Sequence, residues 1–81
     1  MEQSEIINII TTEVALAEDK HPDWPDDIIH QVSIMIEEAG EANRAALQSV
    51  YENGDESEVY YELVQTAAMC IRILKNNNID K

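Results

Sequence analysis

Five consecutive residues, Glu37-Glu38-Ala39-Gly40-Glu41, carry the clearest chemical signal in the sequence. On a helix, positions three and four apart share a face, so Glu38 and Glu41 point the same way with Glu37 close by. Like charges at these spacings cost a few tenths of a kcal/mol per pair, and a mid-helix glycine costs roughly 1 kcal/mol relative to alanine. Helix stability alone selects neither feature. The cluster also interrupts an apolar helix, because Ile34 and Ile36 precede it and Ala42 follows. Oxygen ligands grouped in this way suit Mg2+ or Mn2+, hard cations that retain waters and bind substrate phosphates.

A second helical face can complete the set. Glu58, Glu62, Gln65, Met69 and Arg72 follow a 4-3-4-3 spacing, which lines them up along one side. If the two helices pack antiparallel, Glu38 and Glu41 face Glu62 and Gln65. The competing reading is a solvated acidic surface, with Glu41 paired to Arg44 three residues on.

Composition bounds what such a site can serve. The chain has 81 residues, enough for one domain near the lower size limit of a single core. Five basic residues stand against seventeen acidic ones, for a formal charge of −12. That balance argues against duplex nucleic acid as a partner, since Lys and Arg must replace the phosphate counterions there. It leaves a nucleotide substrate open, because a bound cation reverses the local sign. With 44% hydrophobic residues the chain is too apolar for an acidic disordered tail. A single cysteine, Cys70, rules out an internal disulfide framework. Glu2 and Glu5 stand where a secretory signal would carry basic residues, and no apolar run reaches the roughly 18 residues of a membrane span. The expectation is a soluble, cytoplasmic protein without membrane contact.

The elements that must position the glutamates follow from the breaks. Pro22, Pro25 and Gly54 divide the chain into three helical pieces. The first, about residues 3–18, repeats Ile6, Ile10, Val14 and Ala17 at helical spacing. Pro25 suits the first turn of the second, with Asp26 and Asp27 complementing its positive end. That helix runs to about Asn53, with Ile28, Val32, Met35, Ala39, Ala42 and Ala46 as its apolar stripe. Asp55 and Glu58 resemble a capping box at the start of the third, about residues 56–76. Val59, Leu63, Thr66, Cys70 and Ile73 form one stripe there, and Tyr60, Val64, Ala67, Ile71 and Leu74 a second. Two adjacent apolar stripes exceed what one neighbouring helix covers. The expected fold is therefore an all-α antiparallel bundle of three main helices, completed by a homodimer or homotetramer.

The first glutamate cluster, followed by Glu62-Leu63-Val64-Gln65, resembles the MazG-like nucleotide pyrophosphohydrolases, an all-α family. Their pattern is E-E-x-x-E and E-x-x-D on two antiparallel helices. The first motif is matched in full; in the second, Gln65 stands where the pattern has an aspartate. The resemblance covers about residues 21–75 within a single domain of residues 1–81, and the chain is shorter than fuller members of the family. It implies Mg2+-dependent hydrolysis of a nucleoside triphosphate to the monophosphate and pyrophosphate. Glu38, Glu41 and Glu62 would hold the cation with Gln65 beside them, and Glu37 or Glu38 would serve the attacking water. Arg72 or Lys75 would reach a phosphate.

In the loop between the first two helices, Trp24 suits stacking on a base, or packing over the open end of the bundle. His21 beside it could contact a base edge. A rival function is a non-catalytic acidic interaction protein, or a chain that keeps the fold and has lost the chemistry through Gln65.

Overall fold

The computed structural model describes residues 1–77 and contains three helices, α1 (Gln3–Lys20), α2 (Ile28–Tyr51) and α3 (Ser57–Lys75). The all-α class follows the sequence reading. The starts and stops have local causes, and the start of α2 departs from expectation.

Helix α1 ends where His21 leaves helical torsions (φ −132°, ψ 75°) ahead of Pro22, a conformation that a following proline enforces. Pro25 does not open α2. The helix begins three residues later, where Asp27 Oδ1 accepts the Ile29 N–H at 3.0 Å. Such a cap stabilises a helix by about 1 kcal/mol. Pro25 stays in the loop because its carbonyl accepts a 2.8 Å hydrogen bond from Gln31 Nε2. Gln31 is itself buried, and its Oε1 accepts from Asn77 Nδ2 at 2.7 Å.

The stop after Tyr51 divides its work between two residues. Asn53 takes the left-handed torsion, with φ 58°, which asparagine tolerates better than most residues. Gly54 donates to the Gln48 carbonyl at 2.8 Å, and a Cβ on it would lie 3.0 Å from the Gln48 carbonyl carbon. The glycine is thus required for close approach and not for its torsion. At the entry to α3, Asp55 Oδ1 accepts the Ser57 N–H at 2.9 Å.

Helix α3 is central. It packs against both α1 and α2, which do not pack against one another among the described residues. The α2–α3 pair is antiparallel: Glu41, midway along α2, meets Glu62, and Gln31 meets Asn77 at the end away from the connecting turn. Helices α1 and α3 run the same way, since Glu13 bonds Gln65 and Glu18 bonds Lys75. The chain therefore goes up, down and up.

The core differs from the apolar stripes. Val14, Ala68 and Met69 form its centre, with Ile10, Ala17, Trp24, Ile34, Met35 and Ile71 packed around them. On α3 the buried line is Ala68, Met69 and Arg72, so it continues the face that carries Glu62 and Gln65. Leu63 (51% exposed) and Tyr60 (57%), from the predicted stripes, face outward. A helix flanked on two sides buries the line between its neighbours, and here that line is partly polar. Ile28 and Val32 of α2 are likewise exposed. Among the described residues no helix is long and apolar enough to cross a membrane.

Candidate metal centre and adjoining cleft

Glu38 and Glu41 stand one turn apart on α2, and Glu62 reaches them from α3. One carboxylate oxygen from each lies within 4.8 Å of the others. Glu38 and Glu62 are half-buried, whereas Glu41 is exposed. The antiparallel register produces this meeting, because the short connection after Tyr51 sets Glu62 opposite the second half of α2.

Three carboxylates this close cannot all remain charged without a counterion. The Glu62 carboxyl is pushed up to about 7, first by burial and then by hydrogen bonding and charge repulsion from Glu41 and Glu38. Glu38 is also raised, by burial and by the charge of Glu41, with a smaller contribution from Glu37, while a hydrogen bond with Glu62 pulls the other way. Of these carboxyls, Glu62 is the one pushed furthest toward neutral pH.

Glu62 Oε2 is buried and has no hydrogen-bond partner among the described residues. An orphaned buried oxygen of this kind is costly, and either a proton or a cation resolves it. The donor set fits a hard divalent ion: oxygen only, drawn from two rigid helices, with Glu41 on the solvent side where waters and substrate oxygens could complete the shell. Gly40 beside it leaves open space, since nothing lies within 4 Å of where a Cβ would be.

Glu38 also lines a cleft of about 600 Å3 bounded by α1, α3 and the loop that follows α1. Here the remaining residues singled out in the sequence separate into three groups. Gln65, His21, Trp24 and Arg72 all line the cleft. Glu37 is exposed and is not one of the three converging carboxylates, although its charge contributes to raising Glu38. Lys75 forms an ion pair with Glu18 at 2.9 Å and is not part of the cleft wall.

Gln65 has a specific partner, because its Nε2 donates to Glu13 Oε1 on α1. Glu13 was missed in the sequence, although a signal existed. It falls three residues after Ile10 and four before Ala17, so it interrupts the apolar stripe of α1. Tyr61, which lines the same cleft, carried no comparable signal.

Trp24 is half-buried, and the Arg72 guanidinium lies 4.2 Å from its ring centroid. One face of the indole is therefore taken by a cation, a contact worth up to about 2 kcal/mol when desolvated. Arg72 is buried (4% exposed), and its Nη2 donates to the His21 carbonyl at 2.8 Å. The contribution of His21 to the wall thus includes a backbone carbonyl fixed by α3.

No protein-family model matches the chain, and no curated protein or solved structure matches it. The resemblance to a known family rests on the residues of the sequence: the two motifs and the apolar run from Thr66 to Arg72 that follows them.

Proposed function

We propose that the chain is a Mg2+-dependent nucleotide pyrophosphohydrolase, cleaving a nucleoside triphosphate to the monophosphate and pyrophosphate. The observation that carries this reading is the convergence of Glu38, Glu41 and Glu62 from two helices, with one buried oxygen unsatisfied. The site opens onto a cleft of nucleotide size.

When bound, a divalent cation would neutralise the charge that develops on the phosphates during transfer. The residues of the chain do the rest. Glu38, Glu41 and Glu62 hold the cation, and Glu62 gives up its proton to do so. Glu37, exposed beside Glu38, orients a water for attack on the α-phosphorus. The loop from His21 to Pro25 and the Arg72 side chain form the wall against which the rest of the nucleotide lies. Mn2+ suits the same oxygen set.

The reading includes assembly. Ile6, Ile9, Tyr60, Leu63 and Val64 line an apolar groove between α1 and α3, open to solvent, and such surface favours association of a small domain with a second copy. A homodimer or homotetramer would cover it.

A second reading is favoured by one observation. The Gln65 amide is engaged with Glu13, so the fourth motif position brings no charge to the cation. A chain of this kind could keep the fold and use its acidic surface to bind a basic partner. Measuring turnover of Glu38→Gln and Glu41→Gln variants separates the two. Both should stay folded and lose pyrophosphate release; undiminished turnover in both would remove the trio from the reaction.

A further inference from the structure

Arg72 is the only basic side chain that is buried among the described residues, and it lies on the cleft wall with Lys20 and His21. Among the described residues its side-chain contacts are the His21 carbonyl and the Trp24 ring. Neither carries a negative charge. Asp19 and Asp23 line the same cleft, yet among the described residues the one ion pair joins Lys75 to Glu18. In a chain of net charge −12, a buried cation left without a carboxylate is anomalous, since buried charges are normally paired.

Two further donors share this anomaly. Arg72 Nε and Trp24 Nε1 are both buried without a hydrogen-bond partner among the described residues. Neither side chain has an acceptor atom, so between them the two offer only N–H groups and one positive charge. Its complement is an oxygen acceptor that carries negative charge. Arg72 is also far from the carboxylate trio. Ten residues of α3 separate it from Glu62, about 15 Å at a rise of ~1.5 Å per residue. One small anion cannot touch both places.

We propose that the Arg72–Trp24 wall is an oxyanion subsite, separate from the carboxylate trio, which receives a phosphate or carboxylate group of the ligand. The inference rests on the reading of this cleft as the ligand site, but it needs no metal.

The test uses the full 15N-labelled chain in EDTA, titrated with inorganic pyrophosphate and followed by NMR. Trp24 is the only tryptophan, so its indole N–H gives a single resonance close to the guanidinium, and the Arg72 Nε–H is followed with it. Both should shift saturably, the melting temperature should rise with pyrophosphate, and Arg72→Met should weaken binding at least ten-fold. Arg72→Lys should retain part of the affinity. Should Arg72→Met fail to fold, the wild-type titration and melting shift decide the matter by themselves.

Absence of a saturable shift in the wild-type protein overturns the proposal, as does equal binding by a folded Arg72→Met variant. Shifts that never saturate, or that fall only on exposed lysines, mean an adventitious ion only and also overturn it. Repeating the titration with a nucleoside monophosphate separates the sources. Tighter binding than inorganic pyrophosphate points to the phosphate of a nucleotide, and equal binding to a free oxyanion; either supports the subsite. Because EDTA removes all divalent cations, failure here is distinct from failure of metal-dependent hydrolysis.

Discussion

The Gln65 side chain donates its amide N–H to the Glu13 carboxylate, joining α3 to α1 at the edge of the cleft. The residue that stands where the resembled pattern has an aspartate is therefore built into the helix packing. Gln65→Asp alone would set two carboxylates against each other and lose a hydrogen bond worth about 1 to 3 kcal/mol. The expected outcome is a lower melting temperature with little gain in turnover. Adding Glu13→Gln restores a donor opposite the new carboxylate, so the double variant should recover stability and exceed the wild type in Mg2+ affinity. Thermal melting and Mg2+ titration of the two variants check this.

Glu62 gives the protein a pH dependence of definite sign. Its carboxyl lies near 7 in the folded chain, above its ordinary value of 4.5. The folded state therefore binds more protons than the unfolded one between those values, and stability falls as pH rises across the interval. The contribution is fully present below about pH 4.5 and gone above about pH 7. Glu38 acts in the same direction. Melting in EDTA should show this decline. Saturating Mg2+ should flatten it, because the cation displaces the proton and stabilises the folded state by mass action. A Mg2+ affinity that did not increase between pH 6 and pH 8 would contradict the assignment of the proton.

Glu62→Gln removes the charge while keeping the shape. Without metal at pH 8 the variant should melt above the wild type, by about 4–8 °C for each kcal/mol of repulsion relieved. The Mg2+-induced rise in melting temperature should disappear. Stability and cation binding would then move in opposite directions, as expected of a site that selection holds against the preference of the fold.

Gly40 is exposed beside Glu41 in α2, and a Cβ there would touch nothing within 4 Å. Gly40→Ala should stabilise α2 by about 1 kcal/mol. If ligand approaches Glu41 across this open surface, the same change should raise KM while leaving the fold firmer. Denaturant titration paired with steady-state kinetics resolves both effects.

The extent to which the site was legible in the sequence differs by residue. Glu38, Glu41 and Glu62 could be brought together on paper because helical spacing and an antiparallel hairpin fix their relation, and local sequence encodes both. Arg72 and Met69 were placed on the same face as Glu62 by the same arithmetic. The burial of that face was not readable. Leu63 and Tyr60 have the apolar character of core residues, but which line of α3 is covered depends on where α1 docks, a relation that no spacing within α3 contains. Pro25 was misplaced for a similar reason. Its proline torsion suits a helix start, but the Gln31 side chain, six residues on, takes its carbonyl and keeps it in the loop. Glu13 was legible in principle as a charge within an apolar stripe, although its partner Gln65 lies fifty-two residues away.

The most direct measurement of the central claim is pyrophosphate release from a panel of ribo- and deoxynucleoside triphosphates, with Mg2+ or Mn2+ and with EDTA. The account predicts release from one or a few nucleotides in the presence of metal and none in EDTA. Folded protein that releases no pyrophosphate from any nucleotide with either metal would contradict it.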